Sequence, residues 1–245
     1  ESASQGGEKW ARYSVVGLPC KRVLKVSGSQ ISIEENGEVL EEFRSDDPLG
    51  YIEELQKQYA YPDIKGLPVY TGGLVGYFSY DTVRYVEKRI SLSAPVDKLN
   101  TPDILLMVSN DVIVFDNVLG RIHIITHADP RVADSFDAAQ LALDKIVEGL
   151  RSDIPHNLHV PEVGPRLYET DFVSSYGEKD FMADVDRIKD YIVKGDVMQV
   201  VLSQRMSVSF ESDPLNLYRS LRSLNPSPYM YFVDLDDFQI VSSSP

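Results

Sequence analysis

The side chains that could do chemistry fall into a few groups, and composition alone singles out no reaction. His123 and His127 stand four apart, yet they lie on a strand pattern and its end, so they share no helical face. His156 and His159 sit in a proline-rich stretch without periodicity, and no Cys/His spacing resembles a zinc site. The sequence therefore predicts no metal site in this chain. No Gly-x-Ser-x-Gly nucleophile elbow is present. Gly72, Gly73 and Gly76 invite comparison with a phosphate loop, but no Lys-Ser/Thr follows and no helix pattern opens there. A strand closely approached by neighbouring backbone explains these glycines better. Tyr77, Phe78 and Tyr80 read as core and strand-surface packing, and Asp81 and Arg84 as a loop ion pair. The acidic groups Glu34-Glu35 and Asp234/Asp236/Asp237 fall at hairpin turns and read as solvated faces. Gln199 is a neutral amide in an apolar run, where a polar strand residue with satisfied hydrogen bonds is an equal alternative to a role in chemistry.

The elements that must position these residues are those of an ordinary globular chain. Of 245 residues, 43% are hydrophobic and 25% charged, enough for one large domain or two small ones. A net charge of −14 repels phosphate backbones and anionic lipid, which disfavours nucleic-acid and membrane partners. The single cysteine, Cys20, forms no internal disulfide and suits a reducing cytoplasm. No run approaches the roughly 18 apolar residues of a membrane span. The chain opens at Glu1 without an initiator Met and stops at Pro245 after a strand pattern, so both ends read as cuts.

Residues 21–44 read as short strands, with Asn36-Gly37 supplying the positive φ angles of a tight hairpin. Asp47-Pro48 predicts a helix start, and Leu49, Ile52, Leu55 and Tyr59 then share one face. Strands are expected at 72–80, 104–109, 111–116 and 121–126, and a helix over 136–150. Residues 178–194 form a second strongly periodic helix stopped by Gly195. A long strand over 197–209 is expected next, then a helix from Asp213-Pro214 to near Asn225. Strands at 229–233 and 238–243 follow. Hairpins dominate and no regular βαβ alternation appears, which makes the fold class α+β with antiparallel sheets. The expected domains are residues 1–151, a connector over 152–177, and an incomplete second domain over 178–245.

Four segments, in order, carry a resemblance. They are Glu1-Ser2 with Gly6-Gly7-Glu8-Lys9-Trp10-Ala11-Arg12-Tyr13-Ser14, and Gly72-Gly73-Leu74-Val75-Gly76-Tyr77-Phe78-Ser79-Tyr80-Asp81 with Arg84-Tyr85. The others are Gly195 to Arg205, and Asn225-Pro226-Ser227-Pro228-Tyr229-Met230 with Ser242 to Pro245. Together they resemble the amino-terminal half of the anthranilate synthase component I family, the large chorismate-utilising subunit. The resemblance implies a two-domain α/β structure around packed antiparallel sheets. It also implies a lyase that turns chorismate and ammonia into anthranilate and pyruvate, in the first committed step of tryptophan biosynthesis. Ammonia would come from glutamine through a glutamine amidotransferase subunit, and Mg2+ would serve the parent enzyme with its ligands beyond Pro245.

By the same resemblance, Ser2 matches the serine of a Leu-Leu-Glu-Ser motif that lines a feedback pocket for L-tryptophan, with Asn225, Pro228, Tyr229 and Met230 as the second wall. An indole suits a flat apolar slot, and the amino-acid head suits a few fixed polar groups. Without the resemblance, Asn225 reads as a helix-end residue and the prolines as stiffeners of a turn. Gln199 matches a position where water-adding relatives carry lysine. Water must lose a proton as it attacks, whereas ammonia brings a lone pair, so an amide there suits an amine nucleophile. The remaining catalytic motifs of the family have no match here, so the chain is expected to be inactive alone. Two alternatives stay open: aminodeoxychorismate synthase component I of folate synthesis, and a catalytically dead module that binds tryptophan or a partner.

Overall fold

The computed structural model describes residues 1, 11–59, 61–62, 64–90, 93, 97–153 and 166–244. Its contacts group into two compact units, Glu1–Pro155 with Ser220–Pro245, and His156–Arg219.

The first unit is built on a five-stranded antiparallel sheet in the order β4-β3-β2-β6-β5. Its strands are β2 (Arg22–Ser27), β3 (Gln30–Glu35), β4 (Glu38–Arg44), β5 (Gly73–Phe78) and β6 (Ile104–Ser109). The β3–β4 turn forms as its sequence demands, with φ of 53° at Asn36 and 82° at Gly37. Glu34 and Glu35 are not simply solvated. Glu34 lies 2.9 Å from Lys25 and Glu35 lies 2.7 Å from Arg22, as two cross-strand ion pairs on opposite faces of the strand pair.

Asp47 caps helix α1 (Pro48–Lys57), accepting from the Gly50 N–H at 3.0 Å, with Pro48 fitting the first turn. The apolar face of α1 lies on the sheet: Ile52 and Leu55 join Leu24, Val26, Ile31, Ile104 and Leu106 in one buried cluster. Burying such side chains contributes about 1.5–3 kcal/mol each. Strand β6 is buried along nearly its whole length, which explains its continuous apolar sequence.

A second sheet, order β1-β7-β8, is formed by β1 (Tyr13–Gly17), β7 (Val112–Asp116) and β8 (Arg121–Ile125). Helix α2 (Ser135–Arg151) follows it. The carboxy-terminal hairpin, β11 (Tyr229–Asp234) with β12 (Gln239–Ser244), also belongs to this unit. Its tip buries Leu235, sets Phe238 edge-on to Tyr77 at 6.2 Å, and brings Asp237 to 3.9 Å from Lys25.

The second unit contains helix α3 (Glu178–Lys194) and the two-residue strands β9 (Val173–Ser174) and β10 (Met206–Ser207). Helix α3 ends on Gly195 at φ 83°, a left-handed stop. Helix α4 (Pro214–Leu224) opens with Asp213 accepting from the Leu215 N–H at 2.8 Å, and its residues from Ser220 onward group with the first unit.

The antiparallel α+β class is as the sequence indicates. Two local expectations need correction. The strand expected over 197–209 is reduced to Met206–Ser207, because β9 is the only partner offering it a ladder among the described residues. Past β5, the chain turns through short helical segments at Tyr80–Thr82, Val83–Val86 and Lys88–Ile90, which lack the length for an apolar period to show.

Candidate functional site

The segment that follows α4 is fixed by its own hydrogen bonds. Helix α4 closes with the Asn225 N–H donating to the Leu221 carbonyl at 2.8 Å, and Pro226 and Pro228 prevent its continuation. The Asn225 carbonyl accepts from Ser243 Oγ at 2.8 Å, tying the helix end to β12. Ser227 is buried and donates through Oγ to the Tyr229 carbonyl at 3.1 Å. These bonds place the start of β11.

Consecutive strand residues project to opposite faces. Met230 is 1% exposed while Tyr229 is 59% exposed, so the two side chains do not front one slot. What β11 offers outward is the ring of Tyr229, flanked by exposed Asn225 and half-buried Pro228. Met230 contributes its backbone.

That backbone meets the start of the chain. The Glu1 nitrogen donates to the Met230 carbonyl at 2.8 Å, and the Met230 N–H donates to the Glu1 carbonyl at 2.9 Å. This is a reciprocal antiparallel bridge between residues 229 positions apart. The Glu1 carboxylate lies 2.5 Å from Nε of Arg222, on the last turn of α4. It also accepts from Ser14 Oγ at 3.5 Å. Ser14 in turn accepts from Asn117 Nδ2 at 3.3 Å, and the same amide donates to the Ala11 carbonyl at 3.2 Å. Beside them Arg12 pairs with buried Asp116 at 2.8 Å. The Arg12 guanidinium and the Leu119 and Val118 N–H groups hold the Asp116 carboxyl at a pKa of about 2, against a smaller upward push from burial.

Ser2 lies outside the described residues, and its neighbour Glu1 is bonded to Met230. The structure thus brings the very start of the chain together with Asn225, Pro228, Tyr229 and Met230 in one unit. Gln199 falls in the other unit, exposed, in a stretch without regular structure. The sequence reading passed over Glu1 and Arg222. Opposite charges far apart in the chain give no local pattern, and only the resemblance of Glu1-Ser2 to a motif pointed near them.

Elsewhere the glycine-aromatic segment behaves as packing. A Cβ on Gly76 would lie 1.8 Å from the Leu105 carbonyl oxygen, and one on Gly72 2.7 Å from that of Ser109. Tyr77 donates to the Pro102 carbonyl at 2.7 Å, and Arg84 pairs with Asp81 at 2.6 Å. Tyr80, by contrast, is 88% exposed and packs on nothing in the core. His127 Nδ1 lies 3.0 Å from the Asn110 carbonyl oxygen, and His123 sits within β8. Among the described residues no group of three His, Cys, Asp or Glu side chains converges as a metal cage. Nor, among them, is any helix long and apolar enough to cross a membrane.

The sequence profile of chorismate binding enzymes matches residues 3–245. The chain belongs to that family. It is 49% identical to anthranilate synthase component 1 of Pseudomonas putida over 241 residues, which is 98% of this chain and 49% of that protein. The corresponding protein of Neisseria gonorrhoeae is 46% identical over 244 residues, covering 98% of this chain and 48% of its own length. The crystal structure of anthranilate synthase component I from Streptococcus pneumoniae superposes with a TM-score of 0.77 at 30% identity, covering 96% of this chain and 50% of that one. This member of the chorismate binding enzymes spans about half the length of the relatives it matches.

Proposed function

We propose that the chain forms the amino-terminal part of an anthranilate synthase large component, regulated by L-tryptophan at the wall where Glu1 meets β11. The activity is conversion of chorismate and ammonia to anthranilate and pyruvate, with ammonia drawn from glutamine by an amidotransferase subunit. The names of relatives aligned over almost the whole chain support this reading over the folate-pathway alternative. The observation that carries the regulatory part is the reciprocal Glu1–Met230 bridge, which sets the residue preceding Ser2 against the Asn225–Met230 segment.

Chemically, the exposed Tyr229 ring with Pro228 beside it offers the flat apolar contact that an indole takes. Ser2, Asn225 and neighbouring backbone groups supply the few polar partners that the ammonium and carboxylate need. Gln199 acts on the reaction side as a neutral amide compatible with an amine nucleophile. Mg2+ bound in the parent enzyme would supply positive charge for the carboxylate of chorismate. The 245-residue chain by itself does not turn over chorismate.

Calorimetric titration of L-tryptophan into the full-length protein tests the site. Ser2→Ala and Tyr229→Ala each weaken binding. Wild-type affinity in both variants removes the regulatory assignment. Fluorescence of the product from chorismate and ammonium tests the activity, and formation of aminodeoxychorismate instead of anthranilate transfers the chain to the folate reading.

A further inference from the structure

We draw no further inference here: the strongest candidate, the exposed apolar surface patch of Phe78, Tyr80, Val83 and Val86 where edge strand β5 runs into the short helical turns that follow it, carries none, because nothing in the structure shows what covers it.

Discussion

Replacing Gly76 with alanine tests the account of the glycine-aromatic segment most directly. The added Cβ would lie 1.8 Å from the Leu105 carbonyl oxygen, 2.8 Å from its carbonyl carbon and 3.0 Å from the Leu106 Cα. All three are backbone atoms, so no rotamer change relieves the overlap. Reaching ordinary contact at 3.4 Å requires β5 and β6 to separate locally by about 1.6 Å, which is 3.4 minus 1.8. Ladder hydrogen bonds near 2.9 Å do not survive that displacement. Loss of about two of them at ~1 kcal/mol each, with the strain of an overfilled contact at ~1–3 kcal/mol, gives about 3 kcal/mol or more of destabilisation. Hydrogen exchange at the Leu105–Val108 amides reads this sheet without involving residues 166–219. A loss of 3 kcal/mol accelerates exchange roughly a hundredfold. Two controls separate sterics from backbone strain. Gly37→Ala meets no atom within 4 Å but imposes φ +82° on alanine, costing about 1–2 kcal/mol. Gly149→Ala meets nothing, lies within α2, and stabilises by up to about 1 kcal/mol. Exchange in Gly76→Ala within about threefold of wild type would refute the close-approach argument.

Other outcomes follow from the same structure. The folded pKa of Asp116 is depressed to about 2 from 3.8, so its contribution is complete above pH 4 and fades as pH falls towards 2. Urea midpoints of wild type and Asp116→Asn therefore differ most at pH 6 and converge near pH 2. A constant difference across that range contradicts the assignment. Asp47→Ala removes the cap of α1 and lowers stability by about 1 kcal/mol in urea unfolding, whereas Asp46→Ala leaves it within about 0.5 kcal/mol. Leu24→Ala, at a site 1% exposed in the main cluster, costs about 2–5 kcal/mol by the same measurement.

Local chemistry made much of this fold legible in the sequence. Asn36-Gly37, Asp47-Pro48 and Gly195 each impose a backbone geometry that needs no distant partner, and each turn or helix end falls where expected. The run at 197–209 misled for the opposite reason. Apolar β-formers become a strand only when another strand hydrogen-bonds to them, and composition does not announce the partner. The candidate site divides the same way. Asn225 to Met230 is a continuous motif that could be recognised, whereas the grip of Arg222 on Glu1 exists only in three dimensions. Alternation along β11 was readable too, but the sequence reading assigned Tyr229 and Met230 to one slot when the pleat turns them apart.

That pleat governs how β11 tolerates mutation. Position 230 is sealed, so exchange there is felt first as a change in fold stability. Positions 229 and 231 open to solvent, so drift in size or polarity leaves the interior untouched. Directed evolution of altered ligand response therefore has most freedom at 229 and 231, and a gain selected at 230 will need a compensating change elsewhere in the interior.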